Sequence, residues 1–147
     1  MKRIHMSQVQ KELEFKKKLY NEVTSTKPRG FWYGIDNSWI DWCSSEMPEW
    51  ITDFKYEVEL DDTNIKKLLT VEDMLKFNRE YVIKDKNFNF NMHIDWIRLK
   101  NEGWKGIEIP NYFYQLRMNS DFFWYYGWDV ACGCVWDTNI ITKITKI

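Results

Sequence analysis

Three cysteines and two histidines are the residues of this 147-residue chain whose types most directly suggest metal binding. Cys132 and Cys134 are separated by one residue, whereas structural zinc sites commonly use a C-x-x-C pair together with a second pair of ligands. Cys43 and His93 lie far from this pair in the sequence. Alternate residues on a strand share a face. We therefore expect free, buried thiols and no metal site.

Nucleophilic catalysis and phosphate-loop chemistry lack their usual sequence signatures. No G-x-S-x-G elbow occurs, and nothing in the spacing joins His5 or His93 to a cysteine. Neither G-x-x-x-x-G-K-[ST] nor G-x-G-x-x-G is present. Hydrolases with a serine or cysteine nucleophile and nucleotide-binding folds with a glycine-rich loop are therefore not indicated.

The charge balance argues against partners that carry a strong charge. The 21 basic and 22 acidic residues give a net charge of −1, which supplies no global field to attract nucleic acid or an anionic membrane. Residues 27–33 are the one run where basic and aromatic residues alternate closely enough for base stacking, so nucleic acid is not excluded as a partner. No stretch approaches the roughly 20 apolar residues of a membrane span, and no signal-peptide pattern is present. We expect a cytoplasmic protein that does not contact membranes.

Aromatic residues are unusually frequent, with 9 Trp, 8 Tyr and 9 Phe making up 18% of the chain. Such side chains bury large areas in cores and interfaces, and some of them could line a ligand cleft instead. The length fits one domain covering residues 1–147. The question is therefore which aromatics belong to the core and which to a site.

The elements that would position these residues follow from apolar periodicity and capping signals. Strands are predicted at residues 3–6, 31–33, 54–60, 65–69, 106–109, 122–128, 130–136 and 139–147. Helices are predicted at residues 7–23, 38–47, 70–82 and 95–102, and a surface loop at 84–91. Helices and strands interleave early and strands dominate the last third, which is typical of the α+β class.

Four segments, in their order along the chain, resemble the ADP-ribosyltransferase fold, whose divergent members include small bacterial and phage enzymes. They are residues 3–7, residues 27–34, residues 102–109, and residues 126–129 with 135–137. The first is similar to the opening strand on which His or Arg and a small polar residue bind NAD. The second is similar to the Gly-aromatic-aromatic strand that carries the next cofactor contact. The resemblance implies a split mixed sheet with short flanking helices.

The resemblance also implies cofactor-binding roles at the start of the chain. His5 would anchor the ribose hydroxyls on the adenosine side of NAD, and Ser7 could support it or cap a helix. Arg29 would contact the pyrophosphate, where the guanidinium fork fits well.

On the second matched strand, Gly30 would leave room for a backbone contact with the nicotinamide carboxamide. Trp32 or Tyr33 would stack on the nicotinamide ring. Because successive strand residues face opposite ways, only one of the two can point into the cleft.

The reaction of this family requires a carboxylate near the positive charge that develops on the ribose. Glu108 and Asp129 are the two candidates in the matched segments. Asp129 is preferred slightly, because Gly127, Trp128 and Gly133 frame it in a setting suited to close approach of a ligand.

The implied function is therefore an NAD-dependent ADP-ribosyltransferase that uses NAD as substrate. Its acceptor would be a protein, a nucleic acid or a nucleotide, as in a phage or bacterial effector. The alternative is a non-catalytic binding or inhibitor protein of the same fold that uses an exposed aromatic surface. The enzyme needs convergence of the predicted residues on one pocket, and the binder does not.

Overall fold

A computed structural model describes residues 1–8, 17–84 and 93–147 of the chain. The strands in these ranges are β1 (Arg3–Ser7), β2 (Thr24–Ser25), β3 (Phe31–Ile35), β4 (Phe54–Leu60), β5 (Ile65–Lys67), β6 (Val82–Ile83), β7 (His93–Asp95), β8 (Gly106–Ile109), β9 (Cys132–Val135) and β10 (Ile141–Lys146). The α-helices are α1 (Ser38–Glu46), α2 (Val71–Tyr81) and α3 (Trp96–Asn101). Short 3-10 segments span Pro48–Trp50, Tyr114–Leu116, Ser120–Trp128 and Thr138–Ile140.

A mixed seven-stranded sheet forms the centre, in the order β10-β4-β1-β3-β9-β8-β5. Every neighbouring pair is antiparallel except β5 and β8. A second sheet contains β2, β7 and β6. The described residues therefore confirm the predicted α+β class.

The two faces of the large sheet pack against different partners because strand residues alternate. On β3, Phe31 and Tyr33 belong to the apolar cluster that β4 and β10 complete. Trp32 packs against the other, larger cluster, which contains α2, α3 and the segment Ser120–Trp128. The centre of that larger cluster includes Trp96 and Trp124, both fully buried.

The predicted strand at residues 122–128 is wrong, because this segment is helical. The Asn119 side chain accepts the backbone N–H of Asp121 at 2.9 Å, which caps its start. Three of its four buried residues, Phe122, Tyr125 and Trp128, are three apart, the spacing that brings side chains to one face of a 3-10 turn. A continuous apolar run fits a buried strand and a buried helix equally well, so periodicity did not separate them.

The predicted helix at residues 7–23 is also wrong where the chain is described. Residues 9–16 lie outside the described ranges, and residues 17–23 are not helical. The Tyr20 N–H donates to the Trp136 carbonyl at 2.7 Å, and Lys18 N–H donates to Thr138 Oγ1 at 2.6 Å. These backbone groups are satisfied by a distant segment, so a helical turn would gain little. The predicted loop at 84–91 falls almost wholly outside the described residues.

The capping signals expected at Thr70 and Gly103, by contrast, are confirmed, whereas Ser7 lies in β1 and Ser38 makes no side-chain cap of α1. Thr70 and Asp73 form a reciprocal capping box at the start of α2, and Asp95 caps α3. Gly103 has φ +98° just after α3, the conformation typical of a glycine that ends a helix. These short-range patterns depend on few residues, which is why the sequence predicts them well.

Two further properties bear on the expectations above. All three cysteines are buried and unpaired. Among the described residues, no helix is long and apolar enough to span a bilayer.

Candidate functional site

A cavity of about 400 Å³ opens where β1, β3 and the start of β9 meet α1. Its lining residues come from separate segments of the chain: 4–6, 27, 32–34, 39, 50, 127–130 and 132. This volume lies within the usual range of small-molecule sites.

Gly34 explains why α1 can begin so close to the sheet. A Cβ at this position would lie 3.0 Å from the Trp39 Cβ and 3.2 Å from Ser38 Oγ. The Ser38 hydroxyl donates to the Ala131 carbonyl at 2.7 Å, which ties the helix start to the segment before β9. The absence of a side chain at Gly34 therefore lets Trp39 of α1 form one wall of the cavity.

Four tryptophans line the cavity: Trp32, Trp39, Trp50 and Trp128. Trp32 meets Trp128 edge-on, with ring centroids 5.2 Å apart. Trp39 and Trp50 have ring centroids 6.2 Å apart, and both contact Trp42, which is not part of the lining, at 5.2 and 5.8 Å. Trp50 is 49% exposed, so this wall continues to the protein surface. Tryptophan faces can stack on a planar ring, and they attract most strongly a ring that carries a positive charge.

His5 borders the cavity, but its ring is held on the sheet face of Phe31 and Tyr56, opposite to the face of Trp32. Its ring stacks on Phe31 with centroids 4.0 Å apart, and its Nδ1 lies 2.6 Å from the Trp32 carbonyl oxygen. A carbonyl can only accept, so Nδ1 carries the proton and donates. Ser7, at the other end of the strand, is buried opposite Phe54 and does not line the cavity.

The alternation on β3 decides between the two candidate stacking residues. Tyr33 is 2% exposed, and a Cβ on Gly133 would lie 2.5 Å from its ring, so the ring covers that glycine. Its hydroxyl donates to Glu108 Oε1 at 3.3 Å. Although Tyr33 borders the cavity, its side chain is engaged in the sheet. Trp32 is the residue whose ring is available to a ligand.

Gly30 and Arg29 lie outside the cavity lining. A Cβ on Gly30 would come within 2.4 Å of the Val135 carbonyl oxygen, so this glycine serves the close approach of β3 and β9. The Arg29 backbone N–H donates to Glu22 Oε2 at 3.0 Å, and its side chain is exposed.

Lys27 lines the cavity instead, with its ammonium 5.9 Å from the centroid of the Trp32 ring. It is not among the site residues predicted from the sequence. The alternation of basic and aromatic residues at 27–33 nevertheless indicated that this segment could bind a ligand.

Glu108 is fully buried and takes part in an ion pair on the sheet. Arg3 donates to both carboxylate oxygens, Nε at 2.8 Å and Nη2 at 3.1 Å. Burial opposes the charge of Arg3, but the hydrogen bond and charge of Glu108 outweigh it and raise the pKa of Arg3. Burial and then the Glu108 charge raise the pKa of Tyr33 well above its usual value. The carboxylate is thus fully engaged away from the cavity.

Asp129 lines the cavity and has an unusual backbone. Its φ of +62° is rare for a residue with a side chain, and such strain concentrates at functional sites. Its carboxylate lies 3.6 Å from Nη2 of Arg117. The Arg117 guanidinium in turn lies over the rings of Tyr126 and Tyr114, at 4.8 and 5.7 Å.

Cys132, the first residue of β9, borders the same cavity. Burial raises the pKa of this thiol to about 12. It is therefore protonated at neutral pH, and the thiolate that nucleophilic catalysis needs is scarce. In the part of the chain that the structure describes, no group of three or more His, Cys, Asp or Glu residues could hold a metal ion.

The predicted site residues thus divide into two groups. Those that border the cavity are His5, Trp32, Tyr33 and Asp129. Those that do not are Ser7, Arg29, Gly30 and Glu108. Trp39 and Trp50 were not predicted, because nothing in their spacing distinguishes a cavity wall from an ordinary apolar helix face. No known protein family matches the chain, and no significant match was found to a curated protein or a solved structure.

Proposed function

We propose that this protein is an NAD-dependent ADP-ribosyltransferase whose cavity binds the nicotinamide end of NAD. The observation that carries the proposal is convergence. His5, Trp32 and Asp129 come from distant segments, were selected from the sequence for this reaction, and border one cavity.

The chemistry of the cavity suits the nicotinamide ring of NAD. That ring is a planar cation, which indole faces and a carboxylate both favour. In the transfer, the bond between the ring nitrogen and the anomeric carbon breaks, and its electron pair leaves with the neutral nicotinamide. Positive charge develops on the ribose, where Asp129 would stabilise it. An acceptor nucleophile then bonds to the anomeric carbon and releases its proton to solvent.

The choice of carboxylate follows from accessibility. Asp129 borders the cavity, with a side chain that is 23% exposed. Glu108 has both oxygens occupied by Arg3 and a side chain that is 1% exposed. We therefore assign the reacting carboxylate to Asp129.

The structure also favours a different residue for the contact with the pyrophosphate, Lys27 in place of Arg29. Lys27 lines the cavity and Arg29 does not, so Lys27 would meet the pyrophosphate where the dinucleotide leaves the aromatic walls. The pair provides a matched comparison, because the two cations lie two residues apart and both are exposed.

Incubation of the protein with labelled NAD and a cell lysate tests the proposal. We expect label on an acceptor, and we expect D129N and His5→Ala to reduce transfer by at least about tenfold, since such electrostatic groups are worth a few kcal/mol. Lys27→Ala should weaken transfer more than Arg29→Ala. Equal transfer by D129N and the wild type would exclude the proposed role of the carboxylate.

A non-catalytic binding protein is the second candidate, and an exposed surface favours it. Tyr114, Met118, Phe123 and Tyr126 are between 39% and 76% exposed within one short segment. A cluster of exposed large apolar groups marks interaction sites. If this candidate is right, NAD will give no heat of binding in calorimetry, and partner binding will depend on Phe123 and Tyr126 rather than on Asp129.

A further inference from the structure

Arg117 forms an ion pair with Asp129, and its position has a consequence for what the cavity can bind. Its Nη2 lies 3.6 Å from Asp129 Oδ1, close enough for an ion pair and too long for a good hydrogen bond. The side chains are 22% and 23% exposed. Asp129 also borders the cavity, so this ion pair lies at the edge of the cavity.

The arginine is anchored independently of that carboxylate. Its guanidinium lies over the Tyr126 and Tyr114 rings, at 4.8 and 5.7 Å. Its Nε is buried without a hydrogen-bond partner. The contact with Asp129 can therefore weaken without displacing the Arg117 side chain, because the contacts with the two tyrosine rings hold it in place.

We propose that Arg117 sets the charge selectivity of the cavity by competing with a bound cationic ring for Asp129. A cationic ring between the tryptophans and near Asp129 would share its carboxylate with the guanidinium. A neutral ring of the same shape would not meet this competition. The inference rests on the proposed function only in taking the ring to be nicotinamide, whose oxidised form in NAD is cationic and whose reduced form is neutral.

Removal of the guanidinium should therefore strengthen the binding of cations selectively. Arg117→Met keeps an unbranched apolar stem against the tyrosines and removes the charge. The freed carboxylate should bind a cationic ring about three- to fivefold more tightly, because fivefold corresponds to the upper range for partly exposed ion pairs. Binding of a neutral ring should change by less than about twofold.

Calorimetric titration with two small ligands tests this. Ring-methylated nicotinamide is a cation, and nicotinamide is its neutral counterpart. Both are titrated into the wild type, Arg117→Met, Arg117→Lys and D129N, after thermal melting has verified that each variant is folded. Arg117→Lys keeps the charge and should behave like the wild type, whereas D129N should abolish the preference for the cation.

The outcomes separate the inference from the proposed function. Tighter cation binding in Arg117→Met, with unchanged nicotinamide binding, supports the inference even if no label is transferred from NAD. An equal change for both ligands, no change for the cation, or no binding of either ring overturns it. Label transfer from NAD, measured separately, decides the proposed function in each of these cases.

Discussion

Replacement of Glu108 by glutamine should destabilise the fold and leave ligand binding intact. The carboxylate is fully buried, accepts two hydrogen bonds from Arg3 and one from Tyr33, and does not border the cavity. Glutamine preserves the shape and removes the charge, so the guanidinium of Arg3 keeps a dipole in place of its anion. The perturbation therefore acts on the sheet alone.

The size of the effect follows from what Arg3 retains. Loss of one partner from a buried ion pair typically costs about 3–5 kcal/mol. Arg3 is 13% exposed and also reaches Asp62 at 3.2 Å, so part of its charge remains compensated. We expect a loss of about 2–3 kcal/mol in the free energy of unfolding. For a chain of this size, this corresponds to a fall of about 5–10 °C in the melting temperature.

Urea denaturation followed by tryptophan fluorescence measures this loss. The control is E57Q on the same sheet, because the Lys2–Glu57 pair is 3.9 Å long and exposed, and should change stability by less than about 0.5 kcal/mol. Tyr33→Phe combined with E108Q should show non-additive losses, since the hydroxyl and the carboxylate share a hydrogen bond. An E108Q protein with wild-type stability and lost ligand binding would refute the structural role of this carboxylate.

Three further predictions concern stability. Gly133→Ala should lower the free energy of unfolding by more than about 2 kcal/mol, because a Cβ there would lie 2.5 Å from the Tyr33 ring. Gly127→Ala is the control in the same denaturation assay and should be tolerated, because its Cβ would meet only the end of a lysine side chain at 3.8 Å. Burial raises the pKa of Glu22 above its ordinary value of 4.5, so its contribution to stability is complete below that pH and is lost as the pH rises through the folded pKa. The stability of Glu22→Gln relative to the wild type should therefore increase from acidic pH towards neutrality. A stability difference that does not vary with pH would contradict this cause. Thr70→Ala should cost about 1 kcal/mol in thermal unfolding through loss of the capping box, and no loss would mean that water replaces the cap.

The parts of the fold that the sequence predicts are those fixed by short-range patterns. The alternation from Phe54 to Leu60 gives β4, and the Thr70 and Asp73 pair gives the start of α2. The errors lie where contacts distant in sequence decide. Residues 17–23 bond to the segment after β9 instead of forming a helix, and no local pattern carries that information.

The candidate site, too, is predicted from the sequence only where a short-range pattern decides. The alternation on a strand predicts that only one of Trp32 and Tyr33 can face a cleft. Both residues border the cavity, but the Tyr33 side chain packs over Gly133 and bonds to Glu108. Which carboxylate is accessible depends on strand order. β8 lies next to β9 and brings Glu108 opposite Gly133, under the Tyr33 ring. The sequence alone hardly distinguishes Glu108 from Asp129 as the candidate carboxylate. Their contacts in the folded protein do, because Glu108 is buried in an ion pair and Asp129 borders the cavity.

Calorimetric titration of NAD into the wild type, Trp32→Ala and Arg29→Ala tests whether the cavity binds NAD. We expect saturable binding to the wild type and near-wild-type affinity for Arg29→Ala. Trp32→Ala should lose at least about tenfold in affinity, because an aromatic contact in the cavity is removed. The absence of NAD binding to the folded wild-type protein, or equal affinities for the wild type and Trp32→Ala, would contradict this expectation.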